Sequence, residues 1–455
     1  MKKSILSLFF TASICAITIA QNPLKATIIL STSPDFGDCQ VDTGLTEIIL
    51  RFDQDMSQGF SVPDTKNMPQ ITGKPVWIDK RTLSIPVKLS PDNRYSLAFN
   101  SLRFQNFKNT SGIPLNPQEL HFQTKPLYGQ AIPIESNNMK AFKEFLEIFP
   151  KQYSYASIKG IDWDTMLEKN RAELENAKTN TEFALKLVKM LRIADDPHLW
   201  VDVEGDRFST GLRKIVEYNY GSKQLFEILQ DKKVSNGFGC VTGVIDSLGY
   251  ISLGDWNTDF NTLTLKPWGN SDLPEVKAGE VLKELFRNPN LIIDVRGNSG
   301  GNESFAKEFA SYFVKDPAPF EKVNHFNEKT GLFDLEHIKK VYPNEMNLYY
   351  PGNIYVLSGP SVMSSNESFI LMMKQAPNAK VVGMKTYGSS GNPSPHELSN
   401  GVTVYLPSWQ AYTLEGKLIE GNGVEPDIEI ITSKKDFVNH DVLVEDVLNM
   451  IKNNK

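Results

Sequence analysis

Histidine and cysteine are scarce in this chain of 455 residues, which holds six of the first and three of the second. The six histidines are scattered and no H-E-x-x-H occurs, so the usual ligand spacing of a hydrolytic zinc site is missing. Cys15 falls in the N-terminal apolar run, and Cys39 and Cys240 lie far apart, which excludes a framework of closely spaced disulfides. Neither G-x-G-x-x-G nor a P-loop lysine motif is present, and no cofactor is expected. Positive charge is also in deficit: 48 lysines and arginines face 54 acidic residues, for a formal net charge of -6. Nucleic acid, which needs a basic face, is therefore excluded as a partner. After the first twenty positions no stretch approaches the ~20 apolar residues that cross a bilayer, so stable membrane insertion is not expected.

What is present begins with a leader. Lys2 and Lys3 precede an apolar run from Ile5 to Ile19, and small residues stand before Gln21. That is the pattern of a signal peptide over 1–20, and it predicts an exported protein, periplasmic or extracellular. Residues 26–125 alternate short β-type runs with Pro, Asn, Asp and Gly turns, which predicts an all-β sandwich. Phe52-Asp53 with Met56, the Trp77 run, the hairpin at Asp92-Asn93 and the closing Phe122-Gln123 make this segment similar to bacterial Ig-like domains. Residues 135–200 carry apolar positions at spacings of three and four and predict a helical subdomain. Residues 201–435 repeat strand, glycine turn and helix, and predict an α/β core with a largely parallel sheet.

Chemistry points to two strand-to-helix corners, Asn298-Ser299-Gly300-Gly301 and Ser361-Val362-Met363-Ser364-Ser365. Such corners present backbone N–H groups at the positive end of a helix, where a developing oxyanion is held. Bland readings stand beside this one. The glycines equally permit tight turns, and Ser364 equally suits a helix N-cap. Asp294 and Arg296 read as a structural ion pair, His198 beside Trp200 as packing, and Glu420 as a solvated loop residue.

The ordered set of motifs resembles the tail-specific (C-terminal-processing) and tricorn-core serine peptidases. Asp294, Arg296, Asn298, Gly300 and Gly301 fill that family's D-x-R-x-N-x-G-G. Ser364 with Glu367 matches its serine turn, Glu420, Gly423, Val424, Pro426 and Asp427 match E-x-x-G-V-x-P-D, and Asp196-Pro197-His198 matches D-x-H. The resemblance covers roughly residues 135 to 430 and implies a ClpP/crotonase-like core that hydrolyses peptides or unfolded proteins. It implies Ser364 as nucleophile, the amides of Gly300 or Gly301 and of Ser365 as oxyanion hole, and His198 as general base. It gives Glu420 the task of orienting that base or binding a substrate amine, with Asp294, Arg296, Asn298, Glu367 and Ser389 in support. Two departures matter. Pro197 stands where the tricorn pattern has serine, and the lysine of the lysine-dependent members falls on Ser389, which leaves His198, or His396, to take the proton.

Two rivals remain. Gly297-Asn298-Ser299-Gly300-Gly301 satisfies G-x-S-x-G, with Asp427 and His440 following in the order of an α/β-hydrolase esterase. A binding protein that keeps the fold and does no chemistry is the other. Substrate preference and oligomeric state are not legible.

Overall fold

A computed structural model describes residues 27–453 apart from 102–103, 127–136, 212–213, 215, 270–271 and 347. The leader at 1–20 and Cys15 lie outside the described residues.

The N-terminal segment forms two antiparallel sheets around one apolar core. One sheet orders the strands Ile29–Ser33, Glu47–Phe52, Thr82–Lys88 and Gln70–Ile71, with Val76–Trp77 also on Thr82–Lys88; the other pairs Arg94–Phe99 with Gln118–Gln123. Alternation explains the burial: Ile48, Leu50 and Phe52 point inward from Glu47–Phe52 and pack with Ile85, Leu97, Phe107 and Phe122.

Three helices follow, Asn138–Gln152, Trp163–Glu175 and Asn180–Leu191. Local capping sets two of their starts: Asp162 accepts from Thr165 N–H and Thr179 from Glu182 N–H. Their apolar faces close on Trp200–Val203, Asp206–Ser209 and Thr403–Pro407, so the helical subdomain borrows two late strands, the second being Pro393–Glu397.

The core is a nine-stranded sheet ordered Val276–Lys277, Thr264–Pro267, Gln230–Val234, Cys240–Ile245, Leu248–Leu253, Asn290–Asp294, Asn353–Ser358, Ala379–Gly383, Ile428–Glu429. The last five run parallel and the rest antiparallel. Every residue of Asn290–Asp294 is buried, as a strand covered on both faces must be. Ala278–Leu285, Glu303–Ala310 and Ser365–Met373 cover one face; Ser222–Ile228 and Val442–Asn453 cover the other. A hairpin, Ala318–Asn327 with Leu332–Val341, leaves the sheet between Asn290–Asp294 and Asn353–Ser358 and pairs with Trp409–Tyr412. Cys39 and Cys240 are free, and burial pushes each thiol up to about 12, so both stay protonated. No helix among the described residues is long and apolar enough to cross a membrane.

The N-terminal sheets pack on the hairpin that follows His198. Arg94 Nε meets Asp206 Oδ2 at 2.7 Å, Lys66 Nζ meets Asp206 Oδ1 at 3.0 Å, and His121 stands edge-on to Phe208 at 5.0 Å. None of the candidate site residues lies in this segment. A chain beginning at residue 126 is therefore expected to fold yet melt several degrees lower than the full chain, because Phe208 and Asp206 lose their cover; an unchanged thermal melt would show that these contacts add nothing to stability.

Candidate active site

Both predicted corners lie at the carboxyl ends of adjacent parallel strands, the edge where open α/β sheets place their ligands. Asn290–Asp294 leads through Gly300 and Gly301 into Glu303–Ala310, and Asn353–Ser358 leads through Ser364 into Ser365–Met373.

Ser364 sits at φ 55°, ψ -131°. A side chain in this left-handed region costs on the order of 1–3 kcal/mol and persists only where the surroundings impose it. The surroundings are visible: Ser364 N–H donates to Ser389 O at 2.8 Å and to Glu367 Oε2 at 3.2 Å. The residue does hold the N-cap position, but its Oγ lies 3.1 Å from His198 Nε2. The other imidazole nitrogen, Nδ1, is 2.9 Å from Ser389 Oγ. Ser364, His198 and Ser389 thus form one continuous chain of hydrogen bonds. The tautomer in which Nε2 accepts from Ser364 places the ring proton on Nδ1, where Ser389 Oγ accepts it.

Local turns fix each member. His198 N–H donates to Asp196 Oδ1 at 2.9 Å, and the other Asp196 oxygen accepts from Tyr153 OH at 3.0 Å. That explains the D-x-H pattern: the aspartate shapes the turn that aims the ring. Glu367 does the same for the Ser389 turn. Buried to 1 % exposure, it accepts from Gly388 N–H and Ser389 N–H at 2.8 Å each, from Ser364 N–H and from the Thr386 hydroxyl. Burial, helped by the nearby Glu420 carboxylate, pushes this carboxyl up to about 8 even against the lowering by the Thr386 hydroxyl and the two turn amides.

Glu420 meets Lys159 Nζ at 2.8 Å through Oε1 and Ser390 N–H at 3.1 Å through Oε2. One carboxylate oxygen is thus taken by Lys159, and the other fastens the turn after Ser389. Tyr155 OH joins the same turn at 2.8 Å from Ser390 Oγ. The segment after Glu420 is tied back by Val424 N–H donating to Thr386 Oγ1 at 2.7 Å.

The glycine corner needs its glycines. Gly300 has φ 111° and Gly301 φ 138°; a Cβ on Gly300 would lie 2.9 Å from Ser364 Cβ, and one on Gly301 2.7 Å from the Trp256 carbonyl carbon. Gly300 N–H donates to Asn298 Oδ1 at 2.8 Å. Asp294 and Arg296 are the structural pair expected. Arg296 is fully buried between Asp294 (2.6 Å) and Asp441 (2.8 Å); burial opposes its charge, and the two carboxylates outweigh that and keep it protonated.

The alternatives are placed elsewhere. His396 lies on Pro393–Glu397 with Nε2 buried and unpaired, and no hydrogen bond joins it to Ser364. The esterase reading fails because Asp427 pairs with Lys374 and Val381 N–H while exposed His440 faces Glu445, so no triad forms with Ser299. Lys385, two residues beyond the strand Ala379–Gly383, pairs with Glu425. Among the described residues no group of three histidine, cysteine or acidic side chains converges as metal ligands. Sequence reasoning missed Tyr153, Tyr155, Lys159, Ser390, Trp256 and Asn366, although Ser390 adjoins Ser389 and Asn366 stands between Ser365 and Glu367.

Comparison with known proteins agrees with this geometry. Peptidase family S41 matches residues 247–430, and the tricorn protease C1 domain matches 135–192. The carboxy-terminal processing protease CtpB of Bacillus subtilis is 26% identical over 185 residues, which is 40% of this chain and 34% of that one. A CtpA-like serine protease of Staphylococcus epidermidis is 24% identical over 177 residues, 39% of this chain and 35% of that one. The chain thus spans about a third of the length of these curated relatives in the matched region. In fold it is similar to a candidate peptidase from Parabacteroides merdae, with TM-score 0.53 and 19% identity over 68% of this chain and 95% of that one. Mature CPAF is similar too, with TM-score 0.50 and 12% identity over 70% of this chain and 98% of that one. Residues 247–430 of this chain therefore match peptidase family S41, behind a match to the tricorn protease C1 domain at residues 135–192.

Proposed function

We propose that this chain is an exported serine peptidase that cleaves peptides or unfolded proteins through an acyl-enzyme on Ser364, with His198 as general base. The observation that carries the reading is the unbroken chain Ser364 Oγ, His198 Nε2, His198 Nδ1, Ser389 Oγ, at 3.1 and 2.9 Å. A serine hydroxyl is a weak nucleophile at neutral pH until a base takes its proton. His198 receives it at Nε2 as Oγ attacks the scissile carbonyl, and Ser389 holds the tautomer that leaves Nε2 free to accept. The carbonyl oxygen becomes an oxyanion between the N–H groups of Gly301 and Ser365. His198 then returns the proton to the leaving amine, and a water activated by the same imidazole releases the acyl group.

Glu420 and Lys159 act at one remove by fixing the Ser389-Ser390 turn. The leader supports export, and the N-terminal sheets, read as an Ig-like module, serve as a buttress on the His198 hairpin. Incubation with a library of unstructured peptides tests the whole reading. Fragments with new termini are expected from the wild type, and a pure, folded chain that cleaves nothing in such a library would favour the binding-protein alternative.

A further inference from the structure

Oxyanion stabilisation requires two amides on separate turns to converge on one oxygen, which raises the question of what holds the turns in register. The sheet ladder ends at Val295, whose N–H reaches Leu357 O at 3.3 Å. Beyond it the two corners are bridged by side chains.

Asn366, two residues after Ser364 and fully buried, spends its whole amide on this bridge. Its Nδ2 donates to Val295 O at 3.1 Å and to Asn298 O at 2.9 Å, and its Oδ1 accepts from Trp256 Nε1–H at 3.0 Å. Trp256 completes the circuit from the other side. Its backbone N–H donates to Gly300 O at 3.0 Å and its carbonyl accepts from Asn302 N–H at 2.9 Å, so the main chain of Trp256 brackets Gly301. Its indole packs on Phe369 with ring centroids 4.8 Å apart and planes tilted by 50°, one turn along the helix from Asn366. Asn298 closes the loop by accepting from Gly300 N–H.

We infer that Asn366 and Trp256 are positioning residues that set the spacing between the nucleophile's helix and the Gly300-Gly301 corner, and hence the fit of the oxyanion hole to the transition state. The inference rests on the serine peptidase reading above. Its physical basis is the shape of the amide: one planar group supplies two donors to the segment that carries Gly300 and Gly301 and an acceptor to Trp256, which brackets Gly301. An aspartate of the same size supplies no donor and sets a carboxylate against two carbonyls. The two turns then separate, and a displacement on the order of 1 Å costs about 10²-fold in rate.

The test compares wild type with Asn366→Asp and Trp256→Phe on one peptide substrate, together with binding of a peptide aldehyde that mimics the tetrahedral intermediate. Asn366→Asp is expected to lower kcat by about 10²-fold with KM within about threefold, and to weaken the aldehyde by the same factor as kcat. The pH of half-maximal rate stays in place, because the Ser364–His198–Ser389 chain is untouched. Trp256→Phe keeps the ring packing, loses only the indole N–H, and is expected to lose about fivefold in kcat. Asn366→Asp turning over within threefold of wild type, or losing its rate through KM, or shifting the pH profile, would overturn the inference. Should Asn366→Asp fail to fold, Trp256→Phe decides: unchanged kcat sinks the idea. A wild type that cleaves nothing sinks the underlying reading instead, so the two failures are distinct.

Discussion

Ser364→Ala is expected to lower kcat for peptide hydrolysis by on the order of 10⁴–10⁶-fold, the range seen when a serine nucleophile is deleted. The argument is stereochemical. Ser364 Oγ is the group that His198 Nε2 meets at 3.1 Å, and the backbone around it places its own strain at that residue. Alanine removes the hydroxyl and leaves φ and ψ to the same supports, Ser389 O and Glu367 Oε2, which bind the backbone amide rather than the side chain. Melting temperature should therefore change little while activity collapses. The check is steady-state cleavage of one fluorogenic peptide beside a thermal melt of each variant. Ser299→Ala, at an exposed position outside any triad, should cleave within about twofold of wild type.

His198→Ala is expected to cost about 10⁴-fold or more in kcat, because the base and the acid of the cycle are lost together. The sign of the pH dependence follows from the chemistry. An imidazole accepts a proton only when neutral, so the wild-type rate should fall on the acid side, where the ring takes up a proton, and level off once the ring is neutral. Residual cleavage by the alanine variant should lose that acid limb and rise with hydroxide instead. Ser389→Ala keeps the base but frees the ring, so it should fall between wild type and His198→Ala. A His198→Ala variant with near-wild-type turnover and an unchanged profile would remove His198 from the mechanism.

Residues whose roles are encoded over a few positions were legible in the sequence. The spacing from Ser364 to Glu367 is one helical turn, and Glu367 indeed reaches back to the Ser364 amide. The D-x-H pattern is an aspartate capping the turn of the histidine two residues on. Ser389 was reached by spacing alone, as the place where a lysine was missing; that its hydroxyl faces His198 Nδ1 depends on a contact across 191 positions. Lys159 with Glu420, Tyr155 with Ser390 and Trp256 with Asn366 join segments 261, 235 and 110 positions apart, and no local period marks such pairs. The same limit governs the fold. Parallel strands such as Asn290–Asp294 read as continuous apolar runs because both faces are covered. The strands Pro393–Glu397 and Thr403–Pro407 instead join the helical subdomain rather than the core sheet, a choice set by tertiary packing against Val201 and the helices.

The central claim, that Ser364 is a nucleophile activated by His198, is tested most directly by a fluorophosphonate probe and mass mapping of the adduct. The account predicts one phosphonylated residue, Ser364, with labelling abolished in Ser364→Ala, slowed by orders of magnitude in His198→Ala and kept in Ser299→Ala. An adduct on Ser299, or a folded wild-type chain that takes up no probe, would contradict it.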